Sequence, residues 1–252
     1  MINRPNYIEA IKPFIDRPLV KILAGIRRCG KSTIFEMLEG ELLRRGVSAD
    51  HIICKRYTEM DIPESITAKQ MYDELMKAMA GKGHCYLLLD EIQEITGWER
   101  AVNSLLEGAD ADIYVTGSNS KLMSSEISTY LTGRYVSIPV YTLSFREYLD
   151  FKADSTLSRK ELLEEYIRFG GFPIIALSQY DAQNAYQIVN GIYHTVVSRD
   201  IVKRHRINKQ DLFDRVVKFI IENVGKTFSA NSISTFLKSE HRKVSVESIY
   251  NY

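Results

Sequence analysis

The chain has 252 residues, of which 45% are hydrophobic and 26% charged, and its formal net charge at pH 7 is +1. This composition is typical of a folded protein with one or two domains, and it excludes a disordered or collagen-like chain. No apolar run approaches the ~20 residues of a membrane-spanning helix, and the amino terminus lacks the apolar segment of a signal peptide. We therefore expect a cytoplasmic protein that does not contact a membrane.

The first half of the chain alternates short apolar runs with helical patterns, which predicts an α/β fold with a parallel sheet and helices on its faces. Five strands are predicted, at residues 19–24, 51–54, 85–89, 112–116 and 135–140. After the first strand and a glycine-rich turn, apolar residues at helical spacing predict a helix that Gly46 ends in a left-handed conformation. Two more helices are predicted around residues 71–79 and 98–106.

Beyond residue 150 the apolar spacing is helical and the strand signals stop. Helices are predicted at 162–169 and 184–197, and then at three places in the tail: from 211, near 233–237, and from 246 with Ser245 as its N-cap. Residues 199–252 hold 11 Lys and Arg against 6 Asp and Glu, whereas residues 1–198 hold 22 against 26. This basic tail on an acidic body suggests that the tail contacts nucleic acid.

A glycine-rich loop follows the first predicted strand. Its sequence, Gly25-Ile-Arg-Arg-Cys-Gly30-Lys31-Ser32, satisfies the pattern G-x-x-x-x-G-K-[ST] between a strand and a helix. The glycines let the backbone fold around a polyphosphate with its N–H groups inward, and the helix N-terminus adds partial positive charge. Lys31 would reach the β and γ phosphates and Ser32 would bind Mg²⁺. The predicted nucleotide-binding residues are Gly25, Ile26, Arg27, Arg28, Cys29, Gly30, Lys31, Ser32 and Thr33.

Two acidic residues, Asp90 and Glu91, follow the buried strand predicted at 85–89. Carboxylates at the end of a buried strand are unfavourable unless something binds them, and a metal–phosphate complex is the obvious partner. Alternation along the strand would point the two side chains in different directions, which favours two separate roles. We predict that Asp90 holds the Mg²⁺ shell through water and that Glu91 orients or deprotonates an attacking water.

The fourth predicted strand ends in the polar run Thr116-Gly-Ser-Asn119. If this strand lies between the first and the third, a polar residue at its end would lie beside the γ-phosphate and the water. Ser118 and Asn119 are both candidates, and the sequence does not choose between them. A polar turn without a functional role is the alternative.

These motifs together resemble an AAA+ ATPase. The resemblance is carried by the phosphate loop (the Walker A pattern), the run Asp90-Glu-Ile-Gln93 (the Walker B pattern), the Thr-Gly-Ser-Asn run, and Thr132-Gly-Arg134-Tyr. With Leu143-Ser-Phe-Arg-Glu-Tyr148 and Phe169-Gly-Gly-Phe-Pro173, the chain more narrowly resembles a prokaryotic group of predicted ATPases. In that group an AAA+ core is followed by a carboxyl-terminal domain of unknown function.

The resemblance implies a P-loop NTPase fold with sheet order 5-1-4-3-2, a helical lid after the sheet, and ATP with Mg²⁺ as ligand. It places a sensor residue at Ser118 or Asn119. It also suggests Arg134 as an arginine finger that completes a neighbour's site in a homo-oligomer. A solvated or salt-bridged arginine is the alternative. Arg199, after the lid helices, is a candidate for a phosphate contact within the same chain.

The tail resembles the helix-turn-helix part of a winged-helix domain, with 246–252 as the start of a recognition helix. The basic clusters at 203–206 and 242–243 would contact DNA phosphates, and a protein-contact role is the alternative. We therefore predict a nucleotide-binding core at 1–152, a lid at 153–207 and a partial winged-helix-like segment at 208–252. We expect this last segment to be part of a larger domain or to dock on the body.

These features predict a Mg²⁺-dependent ATPase that binds ATP or ADP and couples hydrolysis to movement between core, lid and tail. A nucleotide-dependent switch with a DNA-binding tail, which turns over slowly or not at all, is the alternative. A phosphoryl-transferring kinase is disfavoured because Glu91 directly after Asp90 suits water activation and no acceptor motif is visible.

Overall fold

Five parallel strands form a sheet in the computed structural model, which describes residues 3–58, 66–118, 130–178, 180–202, 207, 209–240 and 246–250, without the side chains of 198–200 and 248. The strands are β1 (Val20–Gly25), β2 (Ile52–Arg56), β3 (Cys85–Asp90), β4 (Ala111–Gly117) and β5 (Tyr135–Val140). They pair in the order β2-β3-β4-β1-β5, which reads 5-1-4-3-2 from the β5 edge. Both β1 and β3 are buried at every position, as central strands of a parallel sheet are.

Helices cover both faces of the sheet. One face packs against α3 (Ala68–Met79) and α4 (Trp98–Gly108), and the other packs against α1 (Pro5–Ile11) and α2 (Lys31–Arg44). Strand alternation directs Leu87 to the first face and Leu88 to the second. Helix α2 ends at Arg44, and Gly46 follows in a left-handed conformation with φ of +88°, which confirms the predicted end of this helix.

Four helices follow β5: α5 (Phe145–Phe151), α6 (Arg159–Phe169), α7 (Pro173–Leu177) and α8 (Ala182–Thr195). Helices α5 and α6 each begin with a capping box, in which a serine and a glutamate three residues later exchange hydrogen bonds with each other's backbone N–H. A small apolar cluster that includes Leu143, Tyr148 and Leu162 joins them. The segment after β5 thus has an apolar cluster of its own.

The chain divides into two compact units, Met1–Ile192 and Tyr193–Tyr252, and the division falls inside α8. The second unit contains a π-helical stretch at Val196–Val202, α9 (Gln210–Glu222), α10 (Ala230–Ser239) and α11 (Val246–Tyr250). Its buried core consists of Leu212, Val216, Ile233, Leu237 and Ile249. Because the division lies within the segment predicted as the lid, the three-part division at 152 and 207 stays a prediction.

Several predictions for the tail fall outside the described residues, namely the N-cap at Ser245 and the basic clusters at 203–206 and 242–243. No strand is present among the described residues of the second unit, so the winged-helix assignment stays a prediction. In the part of the chain that the structure describes, no helix has the length and apolar character needed to cross a membrane.

A buried ion pair joins Lys21 of β1 to Asp112 of β4 near the amino ends of these strands. The Lys21 ammonium also donates to the Arg17 carbonyl at 2.8 Å, and the Asp112 carboxylate accepts from the Tyr114 hydroxyl at 2.6 Å. Burial lowers the pKa of Lys21, although Asp112 opposes that shift. Each of the two buried charges is thus stabilised by the other.

We expect Asp112→Ala to lower the free energy of unfolding by about 3–5 kcal/mol, because it leaves Lys21 buried without its counter-charge. Urea denaturation followed by circular dichroism measures this loss. Asp73→Ala is the matched control, since it breaks the exposed pair between Lys69 and Asp73, and such pairs contribute about 0–1 kcal/mol. Equal losses in the two variants would contradict a structural role for the buried pair.

Candidate functional site

The glycine-rich loop runs from the carboxyl end of β1 to the start of α2. Gly25, the last residue of β1, lies opposite Val140 of β5, and a Cβ at this position would lie 2.3 Å from the Val140 carbonyl oxygen. Gly30 precedes α2 with φ of +100°, a conformation that side chains rarely adopt. The two glycines of the motif are therefore required by close packing at one end of the loop and by backbone conformation at the other.

The first turn of α2 is open to an anion. The helix has no side-chain hydrogen bond at its N-cap, so the N–H groups of Lys31, Ser32 and Thr33 have no partner within the helix. The helix dipole adds partial positive charge at the same place. These groups fit a phosphate of a nucleotide.

The Lys31 side chain is only 4% exposed and folds back over the loop. Its ammonium donates to the carbonyl oxygens of Gly25 at 3.0 Å and Ile26 at 3.2 Å, and lies 3.4 Å from the Glu91 carboxylate. Oxygen atoms therefore surround the Lys31 ammonium, which the motif predicts to bind phosphate. Phosphate oxygens carry negative charge, whereas the two carbonyl oxygens are neutral, so phosphate is the stronger hydrogen-bond partner for the ammonium.

Asp90, the last residue of β3, is 4% exposed and accepts hydrogen bonds at both carboxylate oxygens. One oxygen accepts from the Ser32 hydroxyl at 2.7 Å and from Arg56 Nε at 3.2 Å, and the other accepts from the Thr116 hydroxyl. A hydroxyl and a carboxylate this close form an oxygen donor set that fits Mg²⁺. The described residues contain no group of three or more His, Cys, Asp or Glu that could hold a metal ion, so water and phosphate oxygens would complete the shell.

Glu91 directs its side chain away from the partners of Asp90. Its carboxylate lies near Lys31 and accepts from the Gln93 amide, and its backbone N–H donates to Thr116 Oγ1 at 3.0 Å. The sequence predicts that the Asp90 and Glu91 carboxylates point in different directions because side chains alternate along a strand. Alternation does not apply here, because Glu91 is not part of the strand. Strand β3 ends at Asp90, and Glu91 takes a left-handed conformation with φ of +54°. Such a backbone costs roughly 1–2 kcal/mol and is typical of functional sites.

Two residues of this site were missed by the sequence analysis. Thr116 is fully buried and holds both the Asp90 side chain and the Glu91 backbone. It belongs to the polar run that ends β4, and that run is the sequence signal that points to it. Arg56 lies directly opposite Asp90 in the pairing of β2 with β3, and no local pattern in the sequence indicates that contact.

The remaining predicted site residues make no hydrogen bond to this cluster in the described part of the chain, or lie outside the described residues. Ser118 is 2% exposed, and within the described part of the chain its hydroxyl has no hydrogen-bond partner. Asn119 and the side chain of Arg199 lie outside the described residues. The guanidinium of Arg134 donates to the side-chain amide oxygen of Asn103 at 2.6 Å and to the Glu107 carboxylate at 2.9 Å.

Arg134 directly precedes β5, whereas the loop follows the carboxyl end of β1, and the two strands are parallel. A six-residue strand spans roughly 20 Å, so Arg134 lies at the opposite end of the sheet from its own chain's loop. The predicted action of Arg134 on a neighbouring chain's site stays a prediction.

The two later segments of the resemblance lie together beside the loop. The Leu143 N–H donates to the Gly171 carbonyl at 2.7 Å, and the Tyr166 hydroxyl donates to the Leu143 carbonyl at 2.8 Å. A Cβ on Gly171 would lie 2.3 Å from the Leu143 carbonyl oxygen, so a side chain at this position would clash with the backbone. A Cβ on Gly30 would lie 3.8 Å from Pro173 Cγ, so the second segment reaches the phosphate loop.

A parallel sheet flanked by helices, with a glycine-rich loop between its first strand and the next helix, defines the class of P-loop-like α/β proteins. The chain belongs to the AAA domain family, whose model matches residues 17–149. A second family model, described as a domain of unknown function (DUF8612), matches residues 160–249. The family resemblance indicated by the motifs is thereby confirmed, and membership of the AAA domain family indicates nucleotide binding.

Two curated relatives of the chain are described as uncharacterized proteins. A protein of Haemophilus influenzae is 33% identical over 257 residues, and MJ1544 of Methanocaldococcus jannaschii is 32% identical over 261 residues. Both alignments cover 100% of this chain, but only 63% and 56% of the relatives. The chain thus spans less than two thirds of the length of these relatives.

Proposed function

We propose that the loop between β1 and α2 binds ATP together with Mg²⁺ and that the protein hydrolyses the bound ATP. The observation that carries this proposal is the hydrogen bond of 2.7 Å between the Ser32 hydroxyl and the Asp90 carboxylate, beside the uncapped first turn of α2. Oxygen ligands for a divalent cation and N–H donors for a phosphate thus lie together. Membership of the AAA domain family supports the same ligand.

Each polar residue around the loop has its own role in this proposal. Lys31 would bind the β and γ phosphates, while Ser32 and Asp90 would hold Mg²⁺, Asp90 through water. When bound, the cation would neutralise negative charge on the phosphate oxygens. Glu91 would orient the attacking water and accept its proton. Thr116 would keep the Asp90 carboxylate and the Glu91 backbone at fixed positions.

We propose Ser118 as the sensor of the γ-phosphate, because a buried hydroxyl without a partner in the described structure requires one. Asn119 remains the second candidate for this role, and Arg199 remains a candidate phosphate contact within the chain. Arg134 is proposed as a finger for a neighbour's site in a homo-oligomer. That role requires it to leave Glu107, with which it forms an ion pair of 2.9 Å.

The proposal extends to the rest of the chain. ATP binding and hydrolysis would move the core (1–152), the lid (153–207) and the partial winged-helix-like segment (208–252) relative to one another. The excess of Lys and Arg after residue 198 supports DNA as the partner of the last segment. A protein partner for this segment is the alternative.

Phosphate release from ATP by the purified protein tests the main proposal. We expect release that requires Mg²⁺ and stops when EDTA removes it, because the cation neutralises the negative charge on the phosphate oxygens. The same assay with and without duplex DNA tests the role of the tail. If calorimetry detects no binding of ATP or ADP with or without Mg²⁺, the proposed function is wrong.

A nucleotide-dependent switch is the second candidate function. It is favoured by the contacts of Glu91, whose carboxylate is engaged by Lys31 and Gln93 and would have to leave them to act as a base. A switch would bind ATP or ADP but release phosphate at or below about one turnover per hour, a rate like that of an unassisted GTPase. Such a rate, unchanged by DNA or by protein concentration, would favour the switch over the ATPase.

A further inference from the structure

Arg4, which directly precedes α1, is a charged residue buried beneath the phosphate loop. It is only 3% exposed, whereas arginines are almost never fully buried unless they are paired. Its guanidinium donates to backbone carbonyls of Cys29 at 2.9 Å, Tyr141 at 3.1 Å and Thr142 at 3.4 Å. It therefore connects the chain before α1, the phosphate loop and the segment after β5.

Glu147 of α5 is the counter-charge of Arg4. Its two carboxylate oxygens accept from Arg4 Nε at 2.7 Å and from Nη2 at 3.2 Å, which is the two-point geometry of a strong pair. Burial raises the pKa of Glu147, but hydrogen bonds from Arg4 and Ser144 outweigh this and lower it below the usual value. Glu147 is thus ionised at neutral pH and fixes the direction in which the guanidinium points.

The contact with Cys29 determines the orientation of a peptide group in the loop. The Cys29 carbonyl and the Gly30 N–H belong to one planar trans peptide, in which the two bonds point in opposite directions. Because Arg4 Nη1 holds the carbonyl on one side of the loop, the Gly30 N–H is directed to the other. Gly30 has φ of +100° and carries no side chain that could oppose this orientation of the peptide.

We propose that Arg4 is a positioning residue of the phosphate site: held by Glu147, it fixes the Cys29–Gly30 peptide so that the Gly30 N–H faces the bound phosphate. This inference rests on the proposed nucleotide site. Its physical basis is preorganisation, since a donor that is already oriented does not have to be ordered when the anion arrives. Arg4 itself does not touch the nucleotide in this proposal.

Arg4→Lys tests the proposal, because an ammonium keeps the charge but lacks the planar fork that engages Glu147 and the loop together. We expect the affinities for ADP and for inorganic pyrophosphate, measured by calorimetry, to fall about tenfold, the effect of one misdirected donor. Tyr7→Phe is the matched control: it removes a hydroxyl 3.2 Å from the same guanidinium but no contact with the loop. Its affinities should stay within about twofold of the wild type.

Thermal midpoints without ligand separate positioning from a merely structural role. If Arg4→Lys lowers the midpoint but binds both ligands as tightly as the wild type, the inference is overturned. If Arg4→Lys does not fold, Glu147→Gln decides, since it removes the counter-charge of Arg4 and one of the two oxygens that accept from it, and it should weaken the binding of both ligands. Unchanged affinities in that variant would also overturn the inference. If the wild type binds neither ligand, the proposed nucleotide site itself is wrong.

Discussion

Lys31→Ala is expected to abolish nucleotide binding, weakening the affinity for ATP and ADP more than about a hundredfold, as truncation of one partner of a buried charge contact does. Lys31 is the buried cation at the open first turn of α2, and its ammonium already lies among oxygen atoms. Without it, the phosphates would face the Glu91 carboxylate without a compensating charge. Calorimetry with ADP, with and without Mg²⁺, measures the loss.

Lys69→Ala is the control for this variant, because it removes an exposed lysine of α3 that pairs with Asp73. Circular dichroism must show that both variants are folded, so that the loss is one of binding. A folded Lys31→Ala protein that binds ADP like the wild type would refute the assignment of the loop as the phosphate site. Binding lost in both variants would point to a general effect of charge on the protein.

Glu91→Gln is expected to keep nucleotide binding and to lower the rate of phosphate release by about 10²–10⁴-fold, the usual contribution of a general base. The amide has the size of the carboxylate but cannot accept the proton of the attacking water. The backbone N–H that bonds Thr116 is unchanged, so the left-handed turn after β3 should persist. Single-turnover phosphate release at saturating ATP isolates this step from binding.

The control is Glu74→Gln, which removes an exposed carboxylate of α3 that pairs with Lys55 at 3.0 Å. We expect its turnover to stay within a few-fold of the wild type. Retained turnover in Glu91→Gln would rule out Glu91 as the base. Loss of ADP binding in Glu91→Gln would instead assign Glu91 to binding, through its contact with Lys31.

The sheet was predictable because each strand is a short apolar run bounded by polar or glycine residues. The fifth strand was predicted at 135–140 and is Tyr135–Val140, and the others differ from prediction by one or two residues at their ends. The short helices α1, α5 and α7 were not predicted. They have seven, seven and five residues, too few for a helical period to stand out, and their capping and packing partners stabilise them.

The phosphate loop and the acidic pair can be identified from the sequence, because their chemistry is local: a turn between a strand and a helix, and two carboxylates at a strand end. The other residues of the site join them through long-range contacts of the fold. Thr116 and Arg56 reach Asp90 from 26 and 34 residues away through the strand order, and Arg4 reaches Glu147 across 143 residues. No periodicity relates such distant positions, since the pairing of strands and the packing of buried charges bring them together.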